Sequence, residues 1–512
     1  MAKNILKATG VVLVMNLVVK LLGFLRETSL ANAFGASDLS DAYLSAYTIP
    51  YFLQAILGYA LVTAVVPTLT KYLVEGDREQ ADHVASALIN LTALLLTVIT
   101  VLGILVCDWL VKLLAPGYEV EQAALTATLA RIMFPSVVFM GVGMVITGIC
   151  NAHYRFAVSA FAPGMSNIII IIALLFFSSA YGIWGAAWGT LLSFVGFMLI
   201  QLPVLWQIKF KYRLVFDYKH PAVHQVLAQI GPIILGVAVN QIYFAINRIF
   251  ASWLAEGTIS SINYANKLMM LPMGIFVAAV ANAIYPALSE FSLKKDRKSL
   301  ASTMKGGLVS VMLVATPAAV GLAILAEPII ELLFEHGEFT HESTLATAFA
   351  LVCFTVGLMP MAANMIITRV FYALEDVKTP VRIGGLSILM DIVLSLLLFR
   401  LLAYGGGGLA LANSLAALLG CLLMYYYLKF KALPELSGET MLPSLLKIAA
   451  ASAGMGLAVW LIVGLIPGGA LTKVGAGVLA GAVVYAVLVL LLRVPETELF
   501  LNKFKHKILR RR

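Results

Sequence analysis

The residues GFLRETSLANAFGASDLSDAYLSAYTIP (23–50) bring Arg26, Glu27, Asp38 and Asp41 together in an otherwise apolar region, with Lys20 just before them. A second stretch, RIFASWLAEGTISSINYANKLMMLP (248–272), carries the same landmarks in the same order. Arg26, Gly35, Asp41 and Pro50 align without a gap with Arg248, Gly257, Asn263 and Pro272, each pair 222 positions apart. LLAPGY (113–118) with LLFEHGEF (332–339), and AFAP (160–163) with VKTP (377–380), extend the match at nearly the same offset. The chain therefore reads as two homologous halves.

The surrounding composition says what those halves are made of. Hydrophobic residues fill 61% of 512 positions and charged residues only 12%; the mean hydropathy is +0.96. A soluble chain of this length exposes far more charge. Apolar segments long enough to cross a hydrocarbon core as helices recur throughout. Fourteen spans are predicted, near 8–28, 41–73, 82–114, 122–150, 157–180, 182–207, 222–255, 262–291, 300–334, 343–373, 380–402, 407–430, 441–465 and 470–493. The long runs exclude a β-barrel, whose strands alternate in short segments. Pro50, Pro135, Pro272 and Pro360 are the expected kinks. The predicted fold is an all-α polytopic membrane protein: two pseudo-symmetric six-helix bundles around a central cavity, plus two C-terminal helices. The expected domains are 1–215, 216–432, and 433–512 with a basic tail. With an even number of spans per half, both halves enter the membrane from the same side. They form parallel repeats, a transporter architecture.

The loops separate by charge. KFKYR (209–213), LKKDRK (293–298), YRF (154–156), EDVKTPVR (375–382), KFK (429–431) and KFKHKILRRR (503–512) belong to one side, which with the N-terminus and the loop after the second span holds about 24 Lys and Arg, against about three on the other. Both termini are thus expected in the cytoplasm, and this bias accounts for the net charge of +9 without nucleic acid. The basic start MAKNILK leads into an apolar run with no small-residue cleavage site, which reads as a retained first helix. Cys107, Cys150, Cys353 and Cys421 lie far apart in apolar runs and read as small buried hydrophobes.

Charges inside the spans carry the functional signal. Lys20, Arg26, Glu27, Asp41, Arg131, Arg248, Lys267, Arg369 and Asp391 each cost about 2.5–3.5 kcal/mol at the centre of a lipid-facing helix. They must face water, pair, or lie near an interface. Lys20 and Glu27 share one helix stripe; so do Asp41, Ser45 and Thr48, and likewise Asn263 and Lys267. The candidate substrate-binding set is Arg26, Lys20, Glu27, Asp41, Lys267 and Arg248, with a cationic excess suited to an anion and an arginine suited to phosphate. The competing reading makes these charges ion pairs that lock a non-transporting scaffold together; for Arg131 and Arg369, near span ends, that local role is preferred. His336 and His341 read as a solvated external loop. No nucleophile motif, zinc spacing or phosphate-cradling loop is present, so neither an enzyme nor an ATP-driven pump is expected.

GFLRETSLANAFGASDLSDAYLSAYTIP, AVVPTLTKYL (64–73), LLAPGY, NAHYRFAVSAFAP (151–163), QIGPIILGVAVNQI (229–242), YANKLMMLPMGIF (264–276) and FYALEDVKTPV (371–381) resemble the MurJ family of bacterial lipid II flippases, a branch of the superfamily that includes MATE drug exporters. The resemblance runs in order from residue 1 past 430, and the two extra C-terminal spans fit this branch. It implies alternating-access movement of an undecaprenyl-pyrophosphate-linked peptidoglycan precursor from the inner to the outer leaflet of the bacterial cytoplasmic membrane. The family's cavity cations fall on Lys20, Arg26 and Lys267, and its acidic positions on Glu27 and Asp41. Two family arginines are lysines here, and a family basic position is Gln54; Met270 stands where the family has an acidic residue. The resemblance also implies a coupling ion, sodium or proton, or use of the membrane potential in place of a cofactor, with Asp391 and Asn240 as a candidate sodium site. Expected partners are the lipid-linked precursor, membrane lipids and cell-wall synthesis proteins, with a monomeric chain. The alternatives are a flippase for another polyprenyl-linked glycan and a MATE-like drug or cation antiporter; the latter calls for an acidic excess.

Overall fold

The computed structural model describes residues 2–402, 404–438 and 440–494, with the side chains of 2–9, 59, 232, 235–240, 242–244, 405 and 437 outside the described set. The basic tail at 503–512 also lies outside the described residues. Among the described residues the chain is helical, without strands. Its long helices are α1 (Ala2–Phe34), α2 (Asp38–Glu75), α3 (Arg78–Leu105), α4 (Val120–Ala152), α5 (Phe156–Tyr181), α6 (Ile183–Gln207) and α7 (Pro221–Ala251). They continue as α8 (Thr258–Leu293), α9 (Arg297–Ile324), α10 (His341–Ala373), α11 (Lys378–Leu398), α12 (Gly407–Ala432), α13 (Leu442–Leu465) and α14 (Ala470–Leu491). Twelve of these, all but α1 and α7, are long and apolar enough to cross a membrane among the described residues. The two other expected spans fall in α1 and α7, some of whose side chains lie outside the described set. This is a multi-pass membrane protein.

Two compact units are present: residues up to Ser260 with His336–Phe339, and Ser261–Glu335 with Thr340 onward. In the first, Leu61, Val65 and Leu69 of α2 meet Val84 and Leu88 of α3, Val145 and Ile149 of α4, and Val223 and Val226 of α7 in one apolar cluster. In the second, Val309 of α9 packs with Ile448 and Ala451 of α13 and Val489 near the end of α14. Tyr485 of α14 donates to the Leu313 carbonyl at 2.8 Å, so the C-terminal pair is fastened to α9. Along α3, Leu94, Val98, Val101 and Leu105 recur at helical spacing and stay exposed, as a lipid-facing stripe must.

The internal repeat seen in the sequence returns as repeated backbone geometry. Asp77 caps α3 by accepting from the Gln80 amide at 3.0 Å, and Asp296 caps α9 by accepting from Ser299 at 3.1 Å. Both helices end on a matching break, at Val106 (φ −98, ψ 11) and Leu325 (φ −93, ψ 11). A short helix follows each, Cys107–Leu114 and Ala326–Phe334. Tyr154 and Glu375 are left-handed at φ 58 and 61. Gly35 (φ +65) and Gly257 (φ +76) are left-handed too. A side chain there is strained by conformation alone. Space forbids it as well: a Cβ on Gly35 would collide with the Glu338 carbonyl, and one on Gly257 with the Ala36 carbonyl.

Proline acts unevenly. Pro272 is followed by a wide turn at Met273–Val277, and Pro135 separates two helical segments of α4, Val120–Met133 and Ser136–Ala152. Pro50 and Pro360 sit inside continuous helices.

The connection between α6 and α7 is an extended strap laid along α3. The Lys211 amide donates to Asp82 at 3.2 Å and the Arg213 amide to Ser86 at 3.1 Å. Asn90 donates to the carbonyls of Arg213 (3.0 Å) and Val215 (2.9 Å) and accepts from Tyr212 at 2.6 Å. The chain then folds back, and Asp217 meets His83 at 3.2 Å. Hydrogen bonding to His83 holds the Asp217 carboxyl below its usual range.

Candidate functional site

Arg26 and Glu27 are neighbours on α1, and the guanidinium bends back onto the adjacent carboxylate at 2.5 Å. Glu27 is 2% exposed and Arg26 20%. A buried carboxylate needs such a partner, because removing it from water unpaired costs several kcal/mol. Tyr47 of α2 lies under the guanidinium, 5.8 Å from ring centroid to Cζ, a cation–π distance. Arg26 is thus oriented by a carboxylate and a ring while part of its side chain stays accessible. Lys20 is exposed six residues earlier on the same helix.

Tyr47 is the middle of three tyrosines on one face of α2. Tyr43 and Tyr47 are stacked at 6.4 Å with ring planes 7° apart, and Tyr47 and Tyr51 lie 5.7 Å apart at 32°. Tyr43 is buried and its hydroxyl bonds that of Thr190 on α6 at 2.8 Å. The other end, Tyr51, is exposed.

The stripe of Asp41, Ser45 and Thr48 is taken up by hydrogen bonds. Both oxygens of the buried Asp41 carboxylate receive donors from the start of α8: the Ser260 amide and hydroxyl, each at 2.7 Å, and the Ile259 amide at 3.3 Å. A carboxylate at a helix N-terminus meets free amides and the positive end of the dipole. Ser45 bonds the Tyr118 hydroxyl at 2.7 Å. Thr48 accepts from Arg248 at 3.1 Å, and Arg248 also reaches the Leu44 carbonyl at 3.5 Å. The repeat-related arginines therefore differ: Arg26 engages an acid and a ring, whereas Arg248 fastens α7 to α2.

In the second unit Lys267 and Met270 are exposed on α8. Arg369 donates to Asn282 at 2.9 Å and lies over Tyr285, and Arg131 in the first unit pairs with Asp108 at 2.5 Å. On α11, where most apolar side chains face outward, Asp391 and Ser395 are buried one turn apart. The Ser395 hydroxyl has no hydrogen-bond partner among the described residues. A carboxylate and a hydroxyl are hard oxygen donors that fit a cation such as sodium. The Asn240 side chain lies outside the described residues. Among the described residues no group of three or more His, Cys, Asp or Glu is placed to hold a metal.

Sequence reasoning missed the tyrosine ladder, although its i, i+4, i+8 spacing was there to be read. It also missed Ser260 as the partner of Asp41, for which no local signal exists.

A helical multi-pass chain with an internal sequence repeat and charged residues within its first helices has the features of a transporter. The profile described as lipid II flippase MurJ matches residues 30–490. The lipid II flippase MurJ of Burkholderia cenocepacia is 31% identical over 435 residues, 83% of this chain and 84% of that protein. The probable lipid II flippase MurJ of Vibrio cholerae is 30% identical over 451 residues, 86% of each. A solved structure of a lipid II flippase MurJ in an inward closed conformation superposes with a TM-score of 0.79 at 28% identity, covering 94% of this chain and 98% of that one. An inward-facing MATE-family multidrug transporter of the MOP superfamily shares the fold, with a TM-score of 0.67 at 18% identity over 83% of this chain and 99% of its own. The chain belongs to the lipid II flippase MurJ family.

Proposed function

We propose that this protein flips lipid II, the undecaprenyl-pyrophosphate-linked peptidoglycan precursor, from the cytoplasmic to the outer leaflet of the bacterial cytoplasmic membrane, with both termini in the cytoplasm. The observation that carries the reading is the Arg26–Glu27 pair. An arginine held by a buried acid, with 20% of its side chain exposed, can turn its remaining N–H groups to a pyrophosphate, and Arg matches two phosphate oxygens at once. Glu27 neutralises Arg26 when the site is empty. Substrate phosphate competes with it for the fork, so binding and release exchange one charge-assisted partner for another. Lys20 adds an exposed point charge on the same helix.

Outward movement of an anionic headgroup is favoured by an inside-negative potential, by about 2.3 kcal/mol per charge per 100 mV. The membrane potential therefore suffices as a driving force. If a cation is coupled, Asp391 and Ser395 are the residues that would hold it.

The test is growth of a strain depleted of its own lipid II flippase, with membrane protein level measured alongside. Growth restored by this chain and abolished by Arg26→Ala at native abundance is expected. Failure of the intact, well-expressed chain to restore growth would overturn the reading.

A further inference from the structure

Resting on this reading, we propose that Tyr51 is the stacking platform for the sugar attached to the substrate pyrophosphate, so that the site reads carbohydrate as well as phosphate. The ladder Tyr43–Tyr47–Tyr51 has one buried, hydrogen-bonded end and one free end. Tyr43 is fixed by Thr190, Tyr47 is fixed between Tyr43 and Arg26, and Tyr51 rests on Tyr47 with 41% of its surface exposed. Stacking pre-orients the Tyr51 ring, so little side-chain freedom remains to be lost when a ligand covers it. An exposed aromatic ring presents a negative face to which the C–H groups of a sugar are attracted.

The spacing fits the chemistry. In a glycosyl pyrophosphate the first sugar follows the second phosphorus directly, at about one helical turn of distance. The Tyr51 ring is one such turn beyond the ring under the Arg26 guanidinium, 5.7 Å from Tyr47. On this proposal the sugar of a phosphate held on the Arg26 fork is set against this next, exposed ring. Gln54 is the next residue on this stripe. Its Oε1 is shielded and accepts no hydrogen bond among the described residues. An unmade bond of this kind is costly, and the N–H of an acetamido sugar recovers it once the side chain rotates toward the ligand. Aromatic ring and amide together suit a carbohydrate, the ring taking its C–H groups and the amide oxygen its N–H or O–H groups.

The experiment measures binding of lipid II and of undecaprenyl pyrophosphate, which lacks the sugar, to the purified full chain in detergent micelles. Wild type, Tyr51→Ala and Tyr51→Trp are compared, with thermal unfolding as the folding control. Tyr51→Ala is expected to weaken lipid II binding about tenfold while leaving undecaprenyl pyrophosphate within twofold, and Tyr51→Trp to keep the preference for lipid II. Equal weakening of both ligands, or of neither, overturns the proposal, as does a wild-type chain that binds both ligands alike. A wild-type chain that binds neither ligand fails at the level of the flippase reading instead, which separates the two failures.

Discussion

Gly257 rests on the carbonyl of Ala36, and its repeat partner Gly35 is the residue immediately before that alanine. Two stretches 222 positions apart in the chain thus approach backbone to backbone at this point, both glycines left-handed. Gly257→Ala combines a left-handed penalty of about 1–2 kcal/mol with a collision against main chain that no rotamer relieves. The expected result is a lower thermal unfolding temperature and reduced membrane abundance. Gly306→Ala, where a Cβ meets nothing, is the matched control. Equal stability of the two variants would refute the close approach.

Asp41 should behave as a structural acceptor. Asp41→Ala leaves the Ser260 amide and hydroxyl without their partner, at about 1.5–3 kcal/mol for bonds to a charged group. Ser260→Ala should cost less, and the double variant should cost less than the two losses added. Strict additivity in thermal unfolding would show that the pair is not coupled.

Arg26 tests geometry against charge. Arg26→Lys keeps the charge and loses the fork, so one or two charge-assisted hydrogen bonds go, a tenfold to several-hundredfold loss. Growth complementation should fail at normal protein level. Arg131→Lys should be tolerated, because Arg131 pairs with an exposed Asp108. Full growth with Arg26→Lys would mean that charge alone suffices.

Orientation follows from the loop charges. In a background freed of the four native cysteines, Glu342→Cys should react with a membrane-impermeant thiol reagent from outside, and Lys295→Cys should not. The opposite pattern would invert the topology.

Much of this was legible in the sequence for a physical reason: membrane spans, loop charge and a repeated sequence are written in composition and spacing. The match of Gly35 with Gly257 returned as a shared left-handed backbone. Partnership was harder to read. Asp41, Ser45 and Thr48 form a polar stripe by spacing, and the natural inference from a polar stripe is a cavity; the structure uses each for a hydrogen bond to a distant segment. The tyrosines were hidden for a different reason. Aromatic residues in an apolar helix are ordinary core or lipid-facing residues, so the spacing alone carries little information. KFKYR registered only as positive charge, because its pairing with α3 is non-local.

The strap along α3 can be seen as two lattices brought into near-commensurate contact. Alternate residues of an extended chain, Lys211, Arg213 and Val215, meet Asp82, Ser86 and Asn90, one helical turn apart. Two extended residues advance about 6.6 Å and four helical residues about 6.0 Å. The mismatch of about 0.6 Å per step is absorbed by hydrogen-bond length for two steps and not for many more. The chain departs from α3 after Val215, and Asp217 turns back to His83. The near-match also makes this connection count its residues: one residue inserted between Lys211 and Val215 exchanges the bonding and non-bonding positions, whereas two restore the phase.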